Sequence, residues 1–205
     1  MRTLVCAMAL SFVASASAFA EAPQAALDLI ASADGEGVFE AAASEPGAII
    51  IRHPRSGLVC RLGAGAANRL LIFPQAARGE DVACETSADG ETVVLFATRF
   101  SFATSLDEQI NGVIDAIRRR YPEAQPAPAV RPIVSDTLPP HRSNAFYITR
   151  EGARCLTSAS VAQVGDWVIK LRYTAPAPNE AAARAAEQNA ERRFNEALQA
   201  VVARD

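Results

Sequence analysis

Histidine is nearly missing from this 205-residue chain: His53 and His141 are the only two. The four cysteines include no C-x-x-C pair, and no His/Cys grouping has the spacing of a zinc site or a dithiol redox centre. H-E-x-x-H, a P-loop, G-x-G-x-x-G and the nucleophile elbow G-x-S-x-G are all absent. Gly63-Ala-Gly-Ala66 is too short, and leads into a strand rather than a helix, so it cradles no phosphate. Lys170 is the only lysine among 20 basic residues, and 23 acids outweigh them. A net charge of −3 and a pI near 5.5 supply no basic face for nucleic acid. No segment after the N-terminus approaches the run of about 20 apolar residues that crosses a bilayer.

What is present describes a folded, exported protein. Half of the residues are hydrophobic and 21% are charged, an ordinary globular balance. Arg2 supplies a positive start, Leu4 to Val13 an apolar stretch, and Ala18-Phe19-Ala20 a small-x-small cleavage pattern before Glu21. Residues 1–20 therefore read as a signal peptide, and 21–205 as a single domain in the periplasm or the medium, with no stable membrane insertion after cleavage. Cys6 precedes most of the apolar run, so it does not mark a lipidation site. Abundant alanine and the preference for arginine over lysine fit GC-rich bacterial coding.

An oxidising compartment favours disulfides. After cleavage Cys60, Cys84 and Cys155 remain, and three cysteines leave one over. Cys60 and Cys84 both sit in short strand-like segments of the same half, so they are the expected pair, worth about 3–4 kcal/mol of unfolded-state entropy. Cys155 then reads as a buried free thiol, with a nucleophile or an intermolecular disulfide partner as the functional alternatives.

The periodicities give a map. Residues 23–33 read as a short helix stopped by Gly35 and Gly37. Residues 48–51, 58–62, 69–73, 82–86 and 91–102 read as consecutive antiparallel strands, with Asp89-Gly90 as a hairpin turn. Leu106, Ile110, Val113, Ile114 and Ile117 form one apolar helical stripe. Ser105 and Glu108 make its capping box, and Pro122 stops it. Arg118, Arg119 and Arg120 suit the negative end of that helix dipole; a nucleic-acid or phosphate patch is the other reading of the run.

Six prolines fall between 122 and 145, which reads as a long surface excursion and the first place to look for a site. Strands at 146–149, 154–162 and 167–174 follow, the last with Trp167, Ile169, Leu171 and Tyr173 on one face. Asn179 caps a final helix to about Ala203. Its apolar face is Ala190, Phe194, Ala197, Leu198 and Val201; Glu187, Glu191, Arg192, Arg193 and Glu196 read as a solvated face. Arg55-Ser-Gly-Leu-Val-Cys60 faintly echoes Arg150-Glu-Gly-Ala-Arg-Cys155.

Runs of strands followed by single helices point to an α+β fold, an antiparallel β-sheet with helices packed on one face. This element order, with the strand–turn segment Ile51-Arg-His-Pro-Arg-Ser-Gly57, resembles the PsbP-like superfamily of extrinsic photosystem subunits over most of the mature chain. The resemblance implies that sandwich and a non-enzymatic accessory role, and assigns no functional residue.

Two functional readings follow. The first is a non-catalytic binding or accessory protein for a small ligand or an envelope protein, without metal or cofactor. The alternative is an atypical hydrolase using Cys155 or a histidine, with Cys155, His141 and Asp136 as the imaginable set. Both histidines read as exposed loop residues; Glu80-Asp81 reads as a turn and Asp107-Glu108 as a helix start. Protein taken from its native host should have its N-terminus at Glu21 by mass spectrometry; intact Met1 in a membrane fraction would refute export by cleavage.

Overall fold

The computed structural model describes residues 18–42, 45–128 and 137–203. The expected signal segment up to Ser17 lies outside them, as does Asp136. Helix α1 (Ala18–Ser32) is followed by β1 (Glu40–Ala41), β2 (Ala48–His53) and β3 (Leu58–Gly63), which form a small antiparallel sheet in that order. Then come β4 (Ala67–Ile72), β5 (Asp81–Ala88), β6 (Glu91–Arg99), α2 (Leu106–Arg120), β7 (Gln125–Pro126), β8 (His141–Arg150), β9 (Ala153–Val164), β10 (Trp167–Pro176) and α3 (Glu180–Val202). The large sheet has seven strands in the order β4-β5-β6-β10-β9-β8-β7, with antiparallel pairing throughout.

The five early strands therefore do not form one continuous run: β2 and β3 leave it as a second layer. Ile49, Ile51, Leu58, Cys60 and Leu62 are all buried and belong to the same apolar cluster as Leu70, Val82, Cys84, Val93, Leu95 and Ala97 of the large sheet. Packing face on face covers both sets, which edge-on pairing would leave half bare. The Cys60–Cys84 disulfide crosses this interface from β3 to β5, with Cα atoms 6.2 Å apart.

Strand alternation sorts the large sheet into two faces. Trp167, Ile169, Leu171, Tyr173 and Ala175 of β10 point into the cluster shared with the small sheet, α1 and α3. Val168 points the other way, into a second cluster with Phe146, Ile148, Cys155, Ala159 and Val161, which α2 covers with Ile110 and Ile117. The architecture is α+β and antiparallel, with the helices divided between the two faces. α3 buries the expected Ala190, Phe194, Ala197, Leu198 and Val201, together with Ala183 and Ala186.

Local chemistry sets the boundaries. The Ser105 hydroxyl accepts from the Glu108 N–H, and the Glu108 carboxylate accepts from the Ser105 N–H, closing the capping box of α2. The Asn179 side chain accepts from the Ala182 N–H at 2.9 Å and starts α3. Asp89 and Gly90 both have positive φ, as a two-residue type I′ hairpin demands, and a Cβ on Gly90 would come within 3.1 Å of Pro176. Strand structure enters the proline-rich excursion from both ends. β7 pairs with β8, and β8 begins at His141. Pro126 is tolerated because β7 is an edge strand with no second partner for an N–H.

Ile117 is fully buried beneath α2, whereas Ile114 is only half-buried. Ile117→Ala should cost about 2–5 kcal/mol in urea unfolding, and Ile114→Ala clearly less. Equal effects would place the helix on its sheet differently.

Candidate functional site

The hydrolase set does not assemble. Cys155 is buried in the cluster under α2, and that apolar burial pushes its thiol pKa up, away from a nucleophilic thiolate. His141 stands on the opposite face, its ring edge-on to Phe194 of α3 at 5.7 Å. The register pairs His141 with Ala162 and Ile148 with Cys155, so the two residues are also separated by seven positions along β8, about 23 Å. His53 belongs to the small sheet and is not the exposed loop residue its His-Pro sequence suggests. It is fully buried, with Nδ1 2.7 Å from the Ser56 hydroxyl and its ring edge-on to Phe39 and Trp167. Packing between two aromatic rings explains its place at the junction of the sheets.

A cleft of about 600 Å³ lies where α3 overhangs the β5–β6 hairpin and the end of β3. One helix face supplies a wall: Ala182, Ala185, Ala186, Asn189 and Arg193, at spacings of three and four residues. Alanine side chains keep that wall back from the sheet, so space remains where leucine would fill it. Leu62, Val93 and Ala175 add apolar surface opposite.

The polar groups converge at one end. The Tyr173 hydroxyl donates to Glu91 Oε2 at 2.7 Å, and Arg193 Nη2 lies 3.6 Å from Glu91 Oε1. Burial, with the neighbouring carboxylate second, pushes the Tyr173 pKa up to about 12. Arg193 Nε is buried and makes no hydrogen bond among the described residues. Arg61 stands at the rim, ion-paired with Glu45. The lining contains no Cys, His or Ser. The arrangement therefore offers donors, the carboxylates of Asp89 and Glu91 and an apolar wall, which suits holding a ligand by hydrogen bonds and contact.

A second depression, of about 530 Å³, lies where β6 leads towards α2. Its charges are already committed, with Arg99 bridging Glu80 at 3.4 Å and Asp166 at 3.2 Å. Asp81 lies inside β5 rather than in a turn; burial pushes its carboxyl pKa up, and the Thr98 hydroxyl at 2.8 Å partly opposes this. Among the described residues no group of His, Cys, Asp and Glu is arranged to hold a metal ion.

Sequence reading missed Glu91, Tyr173 and Arg193 as a set. Arg193 was expected on the solvated face of α3, but the spacing 182, 186, 189, 193 runs along one side of the helix and places it in the cleft.

No family model matches the chain, and no curated protein matches it. Among solved structures it is similar to LpqN, involved in cell envelope biogenesis of Mycobacterium tuberculosis, with a TM-score of 0.39 and 7% identity over 63% of this chain and 84% of that one. It is also similar to CalU16 from Micromonospora echinospora, with a TM-score of 0.25 and 12% identity over 66% of this chain and 80% of that one.

The raised Tyr173 pKa has a definite sign in stability. The folded state keeps the phenol proton at a pH where the unfolded chain has lost it. The contribution is thus complete below pH 10 and disappears as pH rises towards 12. Over about two pKa units this amounts to about 2–3 kcal/mol. Urea unfolding at pH 8, 10 and 11.5 should show this loss in the natural protein and a shallower one in Tyr173→Phe; parallel profiles would contradict the assignment.

Proposed function

We propose that this chain is an exported, non-catalytic binding protein that holds a small molecule in the cleft between α3 and the β5–β6 hairpin. The observation that carries the reading is the combination in one place of an alanine wall with the Tyr173–Glu91–Arg193 cluster. Clefts of a few hundred cubic ångströms with an apolar lining and a few convergent polar groups are where small molecules bind.

The disulfide is compatible with an oxidising compartment outside the cytoplasm. No helix among the described residues is long and apolar enough to cross a membrane, which fits release after signal cleavage. The layout resemblance to PsbP-like proteins implies the same accessory role.

The polar end combines a guanidinium bearing an unused Nε–H with an apolar wall, so an amphipathic anion is a suitable probe. Anilinonaphthalene sulfonate should bind saturably to the folded protein. Ala185 is exposed on the cleft side of α3, so Ala185→Phe should fill the space without disturbing the core. Affinity should fall about tenfold or more, with the melting temperature nearly unchanged. Binding that ignores Ala185→Phe, or no binding at all, would remove the cleft as the site.

A further inference from the structure

We infer that the molecule held in the cleft is a zwitterion with an aliphatic body, the chemistry of a free amino acid or a short peptide; this rests on the reading of the cleft as a small-molecule site. The charged residues of the lining are Arg61, Asp89, Glu91 and Arg193, two of each sign. A ligand with a single charge is drawn by one pair and repelled by the other. A ligand with both charges can satisfy both pairs at once.

Two of the four are already engaged by the protein. Arg61 is ion-paired with Glu45, and Glu91 Oε2 accepts from the Tyr173 hydroxyl at 2.7 Å. Arg193 is held less firmly. Its Nη2 stands 3.6 Å from Glu91 Oε1, close enough for charge attraction and too far for a hydrogen bond. Its Nε is buried and bonded to nothing among the described residues. The guanidinium therefore keeps its forked donors, the geometry that receives a carboxylate. A carboxylate drawn there stands beside Glu91, and that repulsion is relieved when the same ligand brings a cation.

Asp89 supplies the complement. It lines the cleft at the tip of the β5–β6 hairpin, and its carboxylate has no ion pair or hydrogen bond among the described residues. Its φ of 51° meets the demand of the turn, which asparagine meets equally, so the turn does not account for the charge. Between the open cation and the open carboxylate lie Leu62, Val93 and the alanines of α3. This lining is aliphatic apart from Tyr173, whose hydroxyl is taken by Glu91, so a branched aliphatic side chain suits it.

The test uses four probes in titration calorimetry: leucine, leucyl-leucine, N-acetyl-leucyl-leucine, which lacks the cation, and leucyl-leucinamide, which lacks the carboxylate. We expect one or both zwitterions to bind, with acetylation and amidation each weakening the dipeptide about tenfold or more. Leucine binding as tightly as the dipeptide identifies a free amino acid; binding of the dipeptide alone identifies a peptide. Asp89→Asn, which keeps the turn, should weaken leucyl-leucine and leucyl-leucinamide but not the N-acetyl form. Arg193→Gln should weaken leucyl-leucine and the N-acetyl form but not the amide. Arg184→Gln, an exposed charge on α3 outside the lining, should change none of them. If neither zwitterion binds, or if both single-charge forms bind as well as the dipeptide, the inference is overturned. So it is if Asp89→Asn weakens the N-acetyl form equally. Anilinonaphthalene sulfonate binding that is lost in Ala185→Phe would then leave the cleft standing as a site for another class of ligand, whereas its absence would remove the cleft as well.

Discussion

β9 is the strand on which the arrangement depends, because it is covered from both sides. The eight residues from Cys155 to Ala162 are all buried, so α2 must pack on one face and α3 on the other. Small side chains make this possible: Thr157, Ser158, Ala159, Ser160 and Ala162 let both helices come close. The hydroxyls among them create a desolvation cost, offset by cross-strand pairs. Thr157 meets Thr174 at 2.9 Å on β10, and Ser160 meets Ser143 at 2.8 Å on β8. The cleft lies to one side of this doubly covered strand, where α3 overhangs the β5–β6 hairpin.

β10 shows how a two-residue period separates chemistry. Tyr173 and Arg172 are adjacent in sequence, yet one faces the alanine wall of α3 and the other the opposite face of the sheet. The phenol is tied to Glu91 within the cleft; the guanidinium has only a carboxylate already engaged by Arg69. A ligand in the cleft therefore has no direct contact with the opposite face, and any influence on it would have to pass through the backbone of a central strand.

Much of the fold was legible because its signals are local. The capping box of Ser105 and Glu108, the Asp89-Gly90 turn, the alternation of β10 and the Asn179 cap each depend on a few neighbouring residues. The Cys60–Cys84 pair was reached from compartment and strand placement. The division into two sheets was not legible, since the apolar residues of β2 and β3 suit face-on packing and edge-on pairing alike. The burial of His53 was hidden for the same reason: His-Pro-Arg-Ser-Gly is a turn by composition, and only the arrival of Trp167 and Phe39 encloses the ring. Arg193 was misplaced because a mixed Glu/Arg helix face resembles solvated surface until the β5–β6 hairpin is set against it.

The covalent tie between the sheets also changes what proteolytic damage looks like. The segment from Pro74 to Arg78 joins β4 to β5, is largely exposed, and lies between Cys60 and Cys84. A protease that cuts after Arg78 divides the chain yet releases nothing, because the two pieces remain linked through sulfur and held by the surrounding sheets. Such a nicked molecule would gain only the mass of one water, would keep its hydrodynamic size and the cleft, and would come apart only after reduction and unfolding. The bridge thus keeps a break in the exposed loop between β4 and β5 from separating the two pieces.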